Sequence, residues 1–379
     1  MYFRLNPECY FIRGEKCGAI FDLIDKKMYT LNQEETEIIT LCEKNVFVSK
    51  DQKLLQELQS LRLGRFYHNG IYVQKLRFGS PSRDLQVDKS SVVSRVFIEI
   101  NNSCERDCWF CGCHGIKRTL GCMGCNKWKE DGKPLSHDRW KMVIDELRDL
   151  DCSDLFITGG DLTLAWDKTI DILNYADGRF SNIYIVLHQR SLSETTVDDL
   201  RNKAKIILQT ENPKDLRFQD TSNLLITTPE AWEKTKDAID DDTMISLAIR
   251  DSNCLAKGLS TLFKRDMFAN MHVFLNNIKY HPCLGHTLTI CNNGDVLACP
   301  MMRNHNFGNI ADKELHTILE ESIDKINMLW GLTLDKIEKC TGCEFRYACS
   351  DCRAIEENLT GRLKGKALCS YDPQEGKWG

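Results

Sequence analysis

Three cysteines lie within the eight-residue stretch CERDCWFC: Cys104, Cys108 and Cys111, here called the cysteine triad. Thiolates are the usual ligands of a cubane 4Fe–4S cluster, which needs one ligand for each of its four irons. Three cysteines therefore leave one iron with an open position, as a catalytic metal site does and a structural site does not. A small ligand that offers an amine and a carboxylate could chelate that iron.

The residues around the triad also suit a ligand site. The triad follows SVVSRVFIEI, a predicted strand, and Phe110 comes directly before its third cysteine. The next predicted strand, DLFITGG, ends in Gly159, Gly160 and Asp161. Glycines let the backbone approach a ligand closely. The Asp161 carboxylate could accept a hydrogen bond from the ligand's amine.

From about residue 92 strands and helices alternate. Residues 137–150 have the apolar spacing of a helix, with Ser136 as N-cap. Further strands are predicted at IYIVLHQ, AKIILQT, NLLITT, MISLAIR and MHVFL. Repeated βα units predict a parallel sheet or barrel, with the site at the carboxyl ends of the strands. Gln209, Glu211 and Arg250 end later strands and could contact the ligand there.

With these motifs, the chain resembles the radical SAM superfamily, whose hallmark is CxxxCxxC after the first strand of a partial (β/α)6 barrel of the TIM type. The second-strand motif of that family is usually GGE, and here it is GGD. The resemblance implies that the triad holds a 4Fe–4S cluster, that S-adenosylmethionine (SAM) binds its open iron, and that reductive cleavage gives a 5′-deoxyadenosyl radical. The SAM-contacting residues would be Phe110, Gly159, Gly160, Asp161, Gln209 and Arg250. A zinc site or a chance cluster is the alternative.

A second group of cysteines stands near the C-terminus: Cys283, Cys299, Cys340, Cys343, Cys349, Cys352 and Cys369. Their pattern resembles the SPASM extension of radical SAM enzymes, which carries two auxiliary 4Fe–4S clusters, although the family usually has one more residue before the position of Cys352. By the resemblance, one cluster is held by Cys340, Cys343, Cys349 and Cys369. The other is held by Cys283, Cys299 and Cys352, with Cys291 as fourth ligand or with that iron open to substrate. Two zinc ribbons are the alternative, because CxxC pairs also bind zinc.

Four further residues follow the triad: Cys113, His114, Cys122 and Cys125. Together they could form a tetrahedral metal site, or they could be redox-active or substrate-contacting thiols, or small buried residues. The isolated cysteines are expected to pack as small apolar side chains; they are Cys9, Cys17, Cys42, Cys152 and Cys254.

The N-terminal region is predicted to have the order β-β-α-α-β-β. Asn32 caps the first helix, Gly64 ends the second, and a hairpin turns at Asn69–Gly70. This winged-helix-like order resembles the element that binds leader peptides of ribosomally made, modified peptides. A DNA-binding winged helix is the alternative, but residues 1–90 carry 14 Lys and Arg against 12 Asp and Glu, a thin excess for DNA.

The bulk properties restrict the function. The net charge is −5, which argues against nonspecific nucleic-acid binding. Neither a signal peptide nor a membrane span is visible in the sequence, so a cytoplasmic protein without a membrane partner is expected. Nineteen cysteines in a reducing compartment point to metal rather than disulfides.

We therefore predict three domains: residues 1–88 for peptide recognition, 89–280 as the radical SAM partial barrel and 281–379 as the SPASM domain. The expected enzyme carries three 4Fe–4S clusters, takes electrons from flavodoxin or ferredoxin, and forms a thioether or carbon–carbon crosslink in a precursor peptide. The alternatives are a peptide epimerase with a cysteine hydrogen donor, an enzyme acting on a protein, and a zinc-rich winged-helix regulator.

Overall fold

The computed structural model describes residues 1–77, 93–129, 132–192, 197, 199–215, 221–250, 267 and 269–379. The strands are β1 Tyr2–Leu5, β2 Cys9–Arg13, β3 Gly18–Asp22, β4 Lys27–Leu31, β5 Gly64–Tyr67, β6 Arg95–Asn101, β7 Lys117–Arg118, β8 Asp154–Gly159, β9 Asn182–His188, β10 Lys205–Thr210, β11 Ser222–Thr227, β12 Met244–Ile249, β13 Thr287–Ile290, β14 Asp295–Leu297, β15 Asn306–Asn309, β16 Tyr371–Asp372 and β17 Lys377–Trp378. The helices are α1 Gln33–Glu43, α2 Lys53–Ser60, α3 His137–Asp149, α4 Trp166–Ala176, α5 Pro229–Thr235, α6 Met271–Lys279, α7 Leu315–Glu321, α8 Ile323–Trp330 and α9 Arg353–Thr360.

The N-terminal region contains two small antiparallel sheets and two helices. One sheet has the order β2-β3-β4, and the other pairs β1 with β5. Asn32 caps α1 as predicted: its side chain accepts the Glu35 N–H at 3.0 Å, while the Glu35 carboxylate accepts the Asn32 N–H at 2.8 Å. This reciprocal pair satisfies two donors at the start of the helix.

The predicted strand order of this region is wrong. Four strands precede α1, and no strand follows the Asn69–Gly70 turn in the part of the chain described up to residue 77. The segment expected to return as a hairpin strand instead crosses the β1–β2 turn, where the Leu76 N–H donates to the carbonyl of Pro7 at 3.0 Å. Contacts distant in sequence have therefore overridden the local hairpin signal.

A ten-stranded sheet forms the centre of the molecule, in the order β15-β14-β13-β6-β8-β9-β10-β11-β12-β7. Every neighbouring pair from β13 to β12 in that order is parallel. The three remaining strands, β14, β15 and β7, join antiparallel. The predicted α/β class with a large, mostly parallel sheet is confirmed.

The two faces of this sheet have separate cores. On one face the aliphatic side chains of β6, β8 and β9 pack against α3 and α4, with Trp140 fully buried. On the other, Phe97, Phe156 and Val186 pack with Cys122 and Cys125 of the loop that follows the triad. This loop therefore covers the interior face of the sheet. Ser136 caps α3, as predicted.

One strand prediction and one helix prediction are wrong. The stretch MHVFL is part of α6 and not a strand; a short apolar run does not distinguish the two. Here Asn270 caps the helix by accepting the Val273 N–H at 2.9 Å, and Phe274 packs against the N-terminal sheet. The single helix predicted in DKELHTILEESIDKINMLW is two helices, α7 and α8, which meet at Ser322.

Residues 287–309 do not form a sheet of their own, because β13 extends the central sheet at β6. The partial barrel, the winged-helix and SPASM assignments and the three domain limits stay predictions. Of the helices that the structure describes, none has the length and apolar content needed to cross a membrane. Cys254 lies outside the described residues.

Candidate functional site

The cysteine triad lies in the loop after β6, at the carboxyl end of the parallel sheet. All three cysteines line one cavity. The ends of the next three strands line the same cavity through Gly160 and Asp161, His188, and Gln209. Phe110 lines it as well. The sheet thus brings together residues that are far apart in sequence.

The two glycines of the GGD motif let neighbouring backbones pack closely. Gly159 has φ +140°, and a Cβ there would lie 2.3 Å from the carbonyl oxygen of Asn101. A Cβ on Gly160 would lie 2.2 Å from the carbonyl oxygen of Ser103. These contacts join the end of β8 to the start of the triad loop, and Gly159 itself does not line the cavity.

Asp161, which follows β8, contacts the triad loop through its carboxylate. Its Oδ2 accepts hydrogen bonds from Arg106 Nε at 3.2 Å and Ser191 Oγ at 3.1 Å, and its Oδ1 accepts from the N–H of Thr163 at 3.1 Å. Burial alone would raise the pKa of Asp161, but the hydrogen bonds from Thr163 and Ser191 and the charge of Arg106 outweigh it and lower the pKa. The carboxylate is therefore ionised and holds the loop through Arg106, which lies between the first two triad cysteines.

Of the three polar residues expected at the ends of later strands, only Gln209 lines the cavity; Arg250 and Glu211 do not. Both ends of the Gln209 amide are engaged inside the protein: Oε1 accepts from Arg118 at 3.2 Å, and Nε2 donates to Cys125 Sγ at 3.1 Å. Arg250 does not line the cavity; its guanidinium lies 5.6 Å from the ring centroid of Trp109. Glu211 pairs with the exposed Arg190 at 2.5 Å.

His188 is a cavity residue that the sequence analysis missed. It ends β9 and is only 5% exposed. Its Nδ1 accepts the Arg190 N–H at 3.1 Å, and its Nε2 is buried without a hydrogen-bond partner. Burial, followed by the nearby charges of Arg106 and Arg190, lowers the pKa of His188 to about 4. The ring is therefore neutral, and Nε2 carries the proton as a free donor within the cavity wall.

Four cysteines from distant parts of the chain form a second group, here called the Cys122 quartet. They are Cys122, Cys283, Cys299 and Cys352. Burial, together with electrostatic interactions among the four, raises the pKa of each thiol, to about 12 for Cys122, Cys283 and Cys352. Cys291 has a different partner, because its Sγ accepts a hydrogen bond from Arg303 Nη1 at 2.8 Å.

The remaining C-terminal cysteines form a third group, the Cys340 quartet: Cys340, Cys343, Cys349 and Cys369. All four line one cavity. Lys366 lines it too and is only 7% exposed. Its ammonium contacts Asp351, which also pairs with the buried Arg353. The Lys366 ammonium interacts electrostatically with Cys340, Cys349 and Cys369, so it would offset part of the negative charge of a thiolate-bound metal centre.

The four residues that follow the triad do not converge on one site. Cys113 interacts with Cys111, and His114 Nε2 lies 2.9 Å from the exposed Asp107. Cys122 belongs to its quartet, and Cys125 lines the triad cavity. Burial raises the pKa of Cys125 to about 12, so its thiol is protonated.

Among the residues that the structure describes, no group of three or more His, Cys, Asp or Glu side chains is arranged to hold a single metal ion. The thiolates around a cubane bind different irons and so need not converge on one point. The triad and both quartets have the donor type of iron–sulfur ligands. The triad and the Cys340 quartet line cavities, and the cysteines of the Cys122 quartet are buried or half-buried.

No protein-family model matches the chain, and neither does any curated protein. Solved structures similar to it include SuiB of Streptococcus suis, with and without S-adenosylmethionine, at 13% identity and a TM-score of 0.47 over 96% of this chain and 99% of that one. SuiB bound to its precursor peptide SuiA gives 14% identity and a TM-score of 0.43 over 97% and 99%. HemN, the coproporphyrinogen III oxidase of Escherichia coli, described as a radical SAM enzyme, gives 15% identity and a TM-score of 0.32 over 68% and 76%.

Proposed function

We propose that this chain is a radical SAM enzyme that modifies a ribosomally made precursor peptide. One observation carries the proposal: three cysteines of a CxxxCxxC loop face one cavity at the carboxyl ends of parallel strands, beside the GGD motif. Three thiol ligands in an accessible cavity suit a catalytic metal site better than a structural one. When bound there, a 4Fe–4S cluster would supply the electron that cleaves SAM.

The residues of the cavity have distinct parts in this proposal. The cysteine triad holds three irons of the cluster. Asp161 keeps the triad loop in position through Arg106, and its negative charge favours the methionine amine. His188 offers a neutral N–H to an oxygen of SAM. Phe110 supplies an apolar wall, with 1% of its surface exposed.

Two auxiliary clusters complete the proposed electron path. The Cys122 quartet would hold one and the Cys340 quartet the other. Cys122, rather than Cys291, is the proposed fourth ligand of the first, because its thiol interacts with Cys283, Cys299 and Cys352. An auxiliary cluster near the substrate can accept the electron that a peptide radical must lose when a crosslink forms. Zinc remains the competing metal for either quartet, and iron and zinc analysis separates the two.

The N-terminal region supports a peptide partner. Of the ten large apolar side chains exposed in the described residues, six belong to this region: Ile24, Leu41, Val46, Phe47, Leu61 and Tyr72. In its three-stranded sheet, β4 pairs only with β3 among the described strands. A leader peptide could therefore add to the edge at β4 and cover part of this apolar surface. Binding there would raise the effective concentration of the core peptide at the cavity.

Epimerisation is the second candidate, favoured by one observation. Cys125 lines the triad cavity as a protonated thiol and accepts a hydrogen bond from Gln209. A thiol hydrogen at that position could be returned to a peptide radical.

The peptide product separates the two chemistries. A crosslink removes two hydrogens, whereas epimerisation leaves the mass unchanged and exchanges one hydrogen with solvent-derived deuterium. The test uses reconstituted enzyme, SAM, a reductant and the precursor peptide, with mass spectrometry in H₂O and D₂O. Loss of turnover in Cys125→Ser, with SAM cleavage retained and deuterium incorporated by the wild-type enzyme, would support epimerisation. Unchanged turnover in that variant would exclude Cys125 as the donor.

A further inference from the structure

Arg118 is a fully buried cation in the segment between the triad and Cys122. It belongs to β7, pairs with Ala248 of β12, and is 1% exposed. Strand pairing fixes its backbone at the edge of the central sheet.

All hydrogen-bond partners of Arg118 are neutral. Nη1 donates to Gln209 Oε1 at 3.2 Å, and Nη2 donates to Asn126 Oδ1 at 2.9 Å and to the Cys125 carbonyl at 3.1 Å. Nε is buried without a partner. The guanidinium carbon lies 5.2 Å from the ring centroid of Phe110. Among the carboxylates that the structure describes, none has an oxygen within 4.0 Å of a guanidinium nitrogen of Arg118.

The ionisable groups that interact most with Arg118 are thiols: Cys125, Cys111, Cys122 and Cys108. Two belong to the triad and one to the Cys122 quartet, so the cation lies within electrostatic reach of both proposed clusters. Protonated thiols do not compensate a buried charge, whereas metal-bound thiolates do. A cation in this position therefore lacks a counter-charge until anionic centres occupy the two sites.

We propose that Arg118 is the shared counter-charge of the triad cluster and the Cys122-quartet cluster, and that it favours their loading and raises their reduction potentials. The inference rests on the proposed function, since it needs iron–sulfur clusters at those cysteines. A fixed positive charge lowers the free energy of adding an electron nearby, so its removal makes reduction harder. Arg118 acts here as a positioning and tuning residue and not as a catalytic one.

The test compares Arg118→Met, which removes the charge, with Arg118→Lys, which keeps it. Each protein is reconstituted anaerobically, its iron and sulfide are counted, and its clusters are followed by electron paramagnetic resonance during a redox titration. The triad cluster is identified as the signal that changes when SAM is added. The Cys340-quartet cluster is the internal control, because none of its cysteines is among the thiols that interact most with Arg118.

The proposal predicts that Arg118→Met shifts the triad and Cys122-quartet potentials to more negative values, while the Cys340-quartet potential stays unchanged and Arg118→Lys resembles the wild type. A lower iron content at those two sites in a folded Arg118→Met protein also supports the proposal. If the methionine variant does not fold, Arg118→Gln, which can keep one hydrogen bond, replaces it in the same comparison. Full loading with unchanged potentials in the uncharged variant would overturn the inference. Absence of iron–sulfur signals from the wild-type protein would instead refute the proposed function.

Discussion

Replacing His188 with phenylalanine should weaken SAM binding without disturbing the fold. The His188 ring is buried and neutral, and its Nε2–H has no partner inside the protein. Phenylalanine keeps a planar apolar ring at the end of β9 and removes the donor. It also removes the Nδ1 acceptor of the Arg190 N–H, so the free energy of unfolding of the variant is measured together with its SAM binding.

The expected change in SAM affinity follows from the burial of the Nε2–H donor. A hydrogen bond contributes about 0.5–1.5 kcal/mol with a neutral partner and about 1.5–3 kcal/mol with a charged one. Because Nε2 is already desolvated before the ligand binds, the upper part of each range applies. At about 1.4 kcal/mol for each tenfold change, the dissociation constant of SAM should rise about 10- to 100-fold. The unliganded variant should be close to the wild type in stability, because removing the unsatisfied Nε2 donor offsets the loss of the Nδ1 acceptor of the Arg190 N–H.

The assay is equilibrium binding of SAM to anaerobically reconstituted protein with matched iron content. The control is His316→Phe, the same change at a histidine whose side chain is 67% exposed and does not line the cavity. SAM binding by His188→Phe within twofold of wild type would refute the assignment of His188 as a ligand donor.

Four other predictions test the account. Serine at each position of the cysteine triad should abolish SAM cleavage and spare peptide binding, measured by 5′-deoxyadenosine release and fluorescence anisotropy; Cys152→Ser is the control. Cys122→Ser should lose about a third of the bound iron, whereas Cys291→Ser should retain it, as measured by iron analysis of the two proteins. Between pH 6.5 and about 4 the unfolded chain binds a proton at His188 that the folded protein does not. The free energy of unfolding should therefore fall as the pH is lowered from 6.5 towards 4, by about 3 kcal/mol in full. Denaturant unfolding at pH 7 and at pH 4.5 should show a smaller loss of stability for His188→Phe than for the wild type. Phe47→Asp, at a side chain in the exposed apolar surface, should weaken peptide binding about tenfold with SAM cleavage unchanged, as expected for losing part of a buried phenylalanine contact.

The sequence predicted the features whose signals are local. The capped helices at Asn32 and Ser136, the buried strands that end in GGD and HQ, and the three-cysteine loop all lie within short windows with strong periodicity or spacing. Because parallel strands present their carboxyl ends at one edge, the placement of Asp161 and Gln209 beside the triad also followed.

The residues that were missed depend on contacts distant in sequence. Cys122 was expected to act together with Cys113, His114 and Cys125, but it interacts with cysteines more than 150 positions further along the chain, and no spacing rule connects it with them. His188 belongs to no motif and is notable only because its Nε2 is buried without a partner. The Asn69–Gly70 hairpin failed for the same reason, since residues 71–77 pack on a turn far away in sequence.

The most direct test of the central claim is 5′-deoxyadenosine formation by the anaerobically reconstituted wild-type protein with SAM and a strong reductant. The account predicts that 5′-deoxyadenosine accumulates and that replacing Cys104 with serine abolishes it. Iron-replete protein that binds three clusters but releases no 5′-deoxyadenosine would contradict the assignment of the cysteine triad as an open, SAM-binding site.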